Sequence, residues 1–306
     1  MPSLIDIRRR IRSVKNTQQI TKAMKMVSAA KLRRAQERAL ESRPYANIMS
    51  RILANLAAAA KNDENVADLP LLQVREEKRI QLIVVSSDRG LAGAFNANLF
   101  RMIHRFIDEH REAQLELEVI GRKARDYFRK RNYKIIGEHV GIIDRPDYQL
   151  GREIGDKLIE RYRKSEIDAV YLARNEFKNV MSPNLVLSKI LPIELAAEAN
   201  RDRDKPSRRP EPAEKQPETE QPRDYIFEQP ADELLRNLLP LYIEMEIYRA
   251  MLESNSAEQA ARMTAMDTAT SNAGEVIDRL TLNMNRVRQA NITREIIEIV
   301  SGAAAL

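Results

Sequence analysis

The sequence has no cysteine and no tryptophan, and it has only three histidines and nine glycines among its 306 residues. The lack of cysteine excludes disulfides, thiolate metal sites, cysteine nucleophiles and thiol redox switches. The three histidines, His104, His110 and His139, lie in charged stretches with no motif around them, so we expect them at the surface. We therefore predict no metal ion, no cofactor and no Ser/His/Asp catalytic arrangement.

Long apolar runs are also lacking. No stretch approaches the roughly 18 uninterrupted apolar residues of a membrane span, and the most apolar stretches, such as residues 53–60, are short and rich in alanine. The chain begins Met1-Pro2-Ser3 and soon turns basic, without the apolar core of a secretory signal. These features predict a protein that crosses no membrane and stays in a cytosol-like compartment.

The composition favours long helices over a ligand-pocket enzyme, because aromatic residues make up only 5% and glycine is scarce. Charge is unevenly distributed along the chain. Residues 1–43 carry twelve Lys/Arg against three Asp/Glu, a net of +9, whereas residues 231–306 carry seven against eleven, a net of −4. Two interpretations are open: a basic arm for nucleic acid or acidic protein, or two segments that attract each other.

A long helix is predicted at the N-terminus, from Ser3 to about Ala60. Its first seam positions follow coiled-coil spacing: Leu4, Ile7, Ile11 and Val14. The same frame then places polar residues at Gln18, Thr21, Lys25 and Ser28. Apolar residues occur on a neighbouring face instead, at Ile20, Met24, Val27 and Ala30. We therefore predict that the apolar face rotates within this helix.

A second long helix is predicted at the C-terminus. It begins near Asp232, and Pro240 is expected to kink it or to mark a boundary. Its seam positions are Met263, Met266, Thr270, Ala273, Ile277, Leu280, Met284, Val287 and Asn291. Two helices with such seams in one chain should pair.

Between the helices the hydrophobic period changes. Strands are predicted near residues 80–85, 115–120, 168–173 and 185–193, and helices near residues 95–106 and 147–164. This alternation predicts a small α/β domain. Residues 200–224 differ again, because five prolines and balanced charges leave almost nothing apolar to bury, so we expect an extended or disordered insertion.

Two stretches are candidate binding sites. Residues 87–96 follow a strand and open a helix, where phosphates bind in nucleotide folds, but they match neither common phosphate-loop motif, so a structural turn is favoured. The basic residues of the first helix lack interleaved aromatics, which favours a solvated or protein-facing surface over nucleic acid.

Three motifs carry a resemblance to a known family. Residues 20–31 read ITKAMKMVSAAK, residues 86–96 form the strand-turn motif, and the C-terminal signature comprises Ile292, Thr293, Glu295, Glu298, Gly302, Ala303 and Ala305. In this order they resemble the gamma subunit of F-type ATP synthase over almost the whole chain, and residues 258–263 and 288–290 are similar as well.

The resemblance implies an α/β fold: a long antiparallel coiled coil of the N- and C-terminal helices with a small Rossmann-like α/β domain inserted between them. The implied segments are residues 1–75 for the first helix and 76–199 for the α/β foot. Residues 200–230 form an insertion and docking segment, and residues 231–306 form the second helix. The chain would transmit torque between a proton-driven membrane ring and the catalytic sites of an alpha/beta hexamer, without catalytic residues of its own.

The implied partners are the alpha and beta subunits, the epsilon subunit and the membrane ring of c subunits, with no nucleic acid. The location would be peripheral, on the cytoplasmic face of a bacterial plasma membrane or an equivalent membrane. The implied partner-contact residues are Lys22, Met24, Arg262, Arg288, Gln289, Thr293, Glu295, Tyr225 and Glu228. Tyr225 and Glu228 would meet the ring, and Lys22 and Met24 an acidic lever loop. The competing interpretation is a coiled-coil nucleic-acid-binding protein with an α/β module, followed by a small nucleotide-dependent enzyme.

Overall fold

The chain forms two structural units. A computed structural model describes residues 3–59, 66, 68–177, 183–193 and 229–304. The first unit, here called the paired-helix unit, takes in Met1–Leu32, Leu91–Gly93 and Gln259–Leu306. The second, the sheet unit, takes in Arg33–Gly90 and Ala94–Glu258. The domain boundaries expected from the sequence stay a prediction.

The elements follow in the order α1 (Leu4–Ala59), β1 (Arg79–Val85), α2 (Phe95–Glu109), β2 (Gln114–Ile120), α3 (Arg122–Arg129), β3 (Ile135–His139), α4 (Tyr148–Arg163), β4 (Ala169–Phe177), β5 (Pro183–Leu191) and α5 (Ala231–Ala304). Both predicted terminal helices are confirmed. Ser3 and Asp6 cap α1 reciprocally, since each backbone N–H donates to the other's side-chain oxygen at 3.3 Å. Helix α5 runs through Pro240, so the boundary that was one alternative there is wrong, while a kink at Pro240 stays a prediction.

In the paired-helix unit, α1 and α5 run antiparallel. Gln18 Nε2 donates to the Thr270 carbonyl at 3.4 Å, and the hydroxyls of Thr21 and Thr270 lie 2.8 Å apart. Further along, Lys25 Nζ lies 2.6 Å from Asp267 Oδ1. The residue numbers on α5 decrease as those on α1 increase, so the helices are antiparallel. The numbers of two residues that face each other add up to about 291.

The predicted rotation of the apolar face of α1 is wrong. Thr21 and Ser28 are buried in the original frame, whereas Ile20 and Val27 remain 59% and 58% exposed. Of the other two residues of the predicted face, Ala30 is exposed and Met24 half-buried. The same frame resumes with buried residues at Leu32, Ala35, Ala46, Met49, Leu53 and Leu56. A slip would shift the frame of the buried residues after the polar segment relative to those before it. Because the frame is the same on both sides, the polar residues lie in the seam.

The sheet unit is built on five strands in the order β3-β2-β1-β4-β5. The first four are parallel, and β5 lies antiparallel to β4. Burial on both faces explains the apolar run of residues 82–85 in β1. The small α/β domain is thus confirmed, with β3 and α3 as elements that the sequence did not predict.

Each face of the sheet has its own apolar core. One face packs against α2 and α3 through residues such as Leu99, Phe106 and Phe128. The other packs against α4, the C-terminal part of α1 and the N-terminal part of α5, through residues such as Leu53 and Ile243. The two core layers account for the two-sided burial of the central strands.

Gly121 joins β2 to α3 in a conformation that needs glycine. Its φ is 105°, and a Cβ there would lie 2.4 Å from the Ser86 carbonyl oxygen. We expect Gly121→Ala to lower the free energy of unfolding by about 3 kcal/mol or more, measured by urea denaturation. Gly141 is the matched control, because its φ is 80° but nothing lies within 4 Å. Gly141→Ala should cost only about 1 kcal/mol, and equal losses would contradict the clash.

Asp168 links the start of β4 to β1. Its carboxylate accepts from the Arg79 backbone N–H at 2.9 Å and from Arg79 Nη2 at 2.7 Å. These bonds to Arg79 lower the pKa of Asp168 below its ordinary value of 3.8. A lowered pKa stabilises the fold above the unfolded-state pKa, and this stabilisation is lost as pH falls through the folded-state pKa. Asp168→Asn should therefore lower the urea midpoint at pH 7 and progressively less below pH about 4. A deficit that stays constant down to pH 3 would contradict this.

Candidate functional site

The turn after β1 is held together by the protein's own side chains. Ser87 N donates to Asn96 Oδ1 at 3.2 Å, and Asn96 Nδ2 donates to Ser87 Oγ at 2.7 Å. The Asp88 carboxylate accepts from the backbone N–H of Arg122 at 3.0 Å and of Gly141 at 2.8 Å. The Asp88 carboxylate thus caps the N-terminus of α3, while Ser87 and Asn96 tie the end of β1 to the start of α2. The structure favours the structural interpretation of this turn over the nucleotide-site alternative.

The histidines are not the free surface residues that the sequence predicted. All three are half-buried and hydrogen-bonded. His104 Nε2 lies 2.9 Å from the Tyr127 hydroxyl, and His139 Nε2 lies 3.1 Å from Glu118 Oε1. His110 Nδ1 lies 2.9 Å from the Phe106 carbonyl. Within the described ranges, no group of three or more His, Asp or Glu residues could hold a metal ion.

Helix α1 carries an inverted pattern beside its polar seam. Over residues 18–28 the seam side is polar, while Ile20, Met26 and Val27 point outward and are more than half exposed. We call these three residues the outer apolar face. Lys22 is exposed next to them and Met24 is half-buried. An apolar face directed away from the partner helix is suited to contact with another protein.

The C-terminal part of α5 extends past its partner. The register places Leu4 opposite about residue 287, whereas α5 continues to Ala304. This extension exposes five large apolar residues, here called the apolar tip: Ile292, Ile296, Ile297, Ile299 and Val300. Five exposed apolar side chains within nine residues of one helix indicate a surface that a partner covers.

The structure distributes the predicted contact residues over several environments. Arg288, Gln289, Thr293 and Glu295 are exposed on α5 near the apolar tip. Arg262 is instead largely buried, and its Nη1 donates to Gln259 Oε1 at 3.2 Å. Tyr225 and Glu228 lie outside the described residues, as does the predicted insertion at residues 200–224.

Sequence reasoning missed the outer apolar face, although a signal for it was present. The seam frame of residues 4–14 resumes at Leu32, and extending that frame through the polar segment assigns Ile20 and Val27 to the outside. The polar segment resembles a slip in the seam when α1 is considered alone. Its partners show that it belongs to the seam, but Thr270 and Asp267 lie about 240–250 residues away from Thr21 and Lys25 in the sequence.

Comparison with known proteins identifies the family. The ATP synthase family model matches residues 3–306. The ATP synthase gamma chain of Solibacter usitatus is 57% identical over 305 residues, covering 100% of this chain and 99% of the relative. The chain belongs to the ATP synthase gamma-chain family. A second member, the gamma chain of Pelotomaculum thermopropionicum, is 48% identical over 308 residues and matches along the full length of both chains.

Solved structures of ATP synthases share the fold. A chain of the Euglena gracilis mitochondrial ATP synthase in a complex described as OSCP/F1/c-ring aligns with a TM-score of 0.63 at 17% identity. That match covers 99% of this chain and 94% of the Euglena chain. A chain of the Tetrahymena thermophila central stalk/c-ring aligns with a TM-score of 0.58 at 24% identity, covering 82% of this chain and 99% of the other. These two-helix and sheet architectures confirm the predicted fold class.

Proposed function

We propose that the chain is the central rotor shaft of an ATP synthase and transmits torque between a proton-driven membrane ring and the catalytic sites of an alpha/beta head. The observation that carries this proposal is the full-length match to ATP synthase gamma chains. The family resemblance of residues 20–31 and 292–305 supports it at both helix ends. The nucleic-acid-binding alternative is not favoured by this family membership.

The geometry of the paired helices suits a rotating part. Two long antiparallel helices resist bending and twisting better than one, because each seam contact ties them together. The outer apolar face and the apolar tip offer contacts that are not directional. Such contacts hold a shaft in a bearing without assigning it one preferred angle, whereas hydrogen bonds and ion pairs would favour particular angles.

The contact residues remain a proposal at the level of single side chains. Lys22 and Met24 would face the acidic lever loops, and Arg288, Gln289, Thr293 and Glu295 would lie against the head near the apolar tip. Arg262 is buried, so its part would be to support the helix rather than to touch a partner. Tyr225 and Glu228 would meet polar loops of the c ring, with the epsilon subunit beside the foot.

ATP synthase gamma chains are peripheral, generally non-catalytic stalk subunits of a membrane-bound complex. In the part of the chain that the structure describes, no helix is long and apolar enough to cross a bilayer. We place the chain at the cytoplasmic face of a bacterial plasma membrane or an equivalent energy-transducing membrane, attached through its partners and without catalytic residues of its own.

Isolation of the complex tests the proposal. The tagged chain is extracted in mild detergent from the membranes of the cells that make it, and its companions are identified by mass spectrometry. The expected companions are alpha, beta, epsilon and c subunits, together with ATP hydrolysis activity. Isolation of the chain with nucleic acid would favour the alternative instead, if the binding constant falls with salt concentration as steeply as several phosphate contacts require.

A further inference from the structure

A cluster of four buried charges lies between the sheet and α5 inside the sheet unit. It comprises Arg174 on β4 and Glu246, Arg249 and Glu253 on α5, and we call it the charge ring. Arg174, Glu246 and Glu253 expose 8%, 10% and 9% of their side chains, and Arg249 exposes 20%. Two positive and two negative groups balance within the ring, and the torque-transmission mechanism above makes no use of them.

Each carboxylate of the ring lies between two guanidinium groups. Arg249 Nε donates to Glu253 Oε1 at 2.9 Å, and Arg249 Nη1 donates to Glu246 Oε1 at 3.4 Å. From the sheet side, Arg174 Nη1 lies 3.8 Å from Glu246 Oε2, and Arg174 Nε lies 3.3 Å from Glu253 Oε2. Burial opposes the charge of Arg249, but the carboxylates of Glu253 and Glu246 outweigh it and raise its pKa.

The strands and the helix are tied at two more points next to the ring. Arg174 Nη1 donates to Ser188 Oγ on β5 at 3.1 Å, which joins both antiparallel strands to the ring. The Asn175 backbone N–H donates to Ser254 Oγ on α5 at 3.3 Å. The helix is therefore held to the strands through side chains at positions 246, 253 and 254, about two turns of its length.

The ring replaces what could have been a continuation of the apolar core. On the same sheet face, Val170 and Leu172 belong to that core, and Ile243, Ile247 and Ala250 supply it from α5. Buried ion pairs add little net stability compared with apolar residues of similar volume, because desolvation offsets the attraction. The Arg174–Glu253 contact also lacks hydrogen-bond geometry at Arg174 Nε, so it is not optimised for strength.

Ion pairs between the sheet and α5 can fix the angle of the helix about its own axis, which an apolar patch cannot do. Apolar contacts are non-directional, so a helix can turn about its axis over a sheet at small cost. The hydrogen bonds of Arg249 lie within α5 and turn with it. From the sheet, Arg174 is paired with two carboxylates about two turns apart on α5, so turning the helix about its axis would draw both carboxylates away from the one guanidinium. The hydrogen bond from the Asn175 backbone N–H to Ser254 Oγ is directional and would be strained by the same turn.

We propose that the charge ring is a rotational lock, which fixes the angle of α5 about its axis against β4 and β5 so that torque passes from the sheet unit into the helix. This inference rests on the proposed rotor function. Arg174 and Arg249 are positioning residues in this account, since they are buried within the sheet unit and act through α5.

The test compares the torsional stiffness of two assembled complexes. The apolar-ring variant carries Arg174→Met, Glu246→Leu, Arg249→Met and Glu253→Met, which preserve side-chain bulk and leave no charge unpaired. A bead is attached through Lys130→Cys, an exposed position on the sheet unit in a chain without other cysteines, while the alpha/beta head is immobilised and inhibited. The angular variance of the bead then reports the stiffness between the sheet unit and the part of α5 inside the head.

We expect the apolar-ring variant to show about twofold larger angular variance than the parent, with unchanged subunit composition and thermal stability, because the two ion pairs that join Arg174 to α5 are replaced by non-directional apolar contacts. Equal variance in the two complexes would overturn the proposal. If the quadruple variant does not assemble, Arg174→Lys decides by the same measurement, because it retains the charge but loses the planar fork. Its variance should also rise, and an unchanged value would overturn the lock. Failure of the parent chain itself to assemble with an alpha/beta head would contradict the proposed rotor function rather than the proposed role of the charge ring.

Discussion

Cysteines introduced at Val14 and Ile277 should form a disulfide within one chain in most molecules under mild oxidation. Three contacts pair positions 18, 21 and 25 of α1 with positions 270 and 267 of α5 and thereby set the register. Both positions are half-buried in the seam where the two helices face each other. Because the chain has no native cysteine, no other thiol competes for the bond. The crosslink is measured as a mobility shift on a denaturing gel that dithiothreitol reverses.

The matched control for this crosslink is Val14→Cys with Asp267→Cys. Asp267 lies ten residues from Ile277 on the same helix, about 15 Å along its axis, which exceeds the reach of a disulfide. The control should crosslink weakly or not at all. Equal crosslinking of both pairs would contradict the antiparallel register. So would dimers between chains, or failure of Val14→Cys to crosslink at Ile277 and also at positions one turn to either side of it.

Replacing Met24 with lysine should reduce the number of protons pumped per ATP hydrolysed to about half or less, while the complex still assembles. Met24 is half-buried at the edge of the outer apolar face. In the proposed assembly this region passes acidic loops of the catalytic subunits. An added ammonium would attract those loops at each passage, and the attraction would raise the barrier to rotation. The measurement is ATP-driven acidification of vesicles divided by the rate of hydrolysis.

Met24→Leu is the control for that experiment, because it keeps an apolar side chain of similar volume and adds no charge. It should leave the ratio of pumping to hydrolysis at the parental value. High salt should partly restore the lysine variant, since ions screen an exposed charge. A ratio that equals the parent's in Met24→Lys at low salt would contradict the placement of this face beside the acidic loops.

The helices and most strands could be predicted because their signals are local. The seam of α5, from Met263 to Asn291, repeats at 3-4 spacing, and the β-branched run of β1 is flanked by turn residues. In the same way, Ser3 and Asp6 specify the start of α1 within one turn. Strand β3 was not predicted because it has only five residues and lies at the sheet edge. Helix α3 was not predicted because most of its eight residues are charged.

The candidate surfaces were harder to predict because they depend on contacts between distant segments. The polar residues Thr21 and Lys25 pair with residues more than 240 positions away, so the seam frame could not be followed from α1 alone. Asp88 reads as a turn residue in the sequence, yet it binds backbone groups at positions 122, 141 and 143. The charge ring likewise joins β4 to residues of α5 that lie some seventy positions later in the sequence, and no sequence motif around Arg174 indicates this contact.

Single-molecule rotation tests the rotor function most directly. Heads containing the Lys130→Cys chain are fixed to a surface through the alpha/beta subunits, a bead is attached to the cysteine, and its angle is recorded while ATP is hydrolysed. The account predicts continuous rotation in one sense that stops when ATP is removed. A bead that only fluctuates about one angle while its head hydrolyses ATP at the parental rate would contradict it.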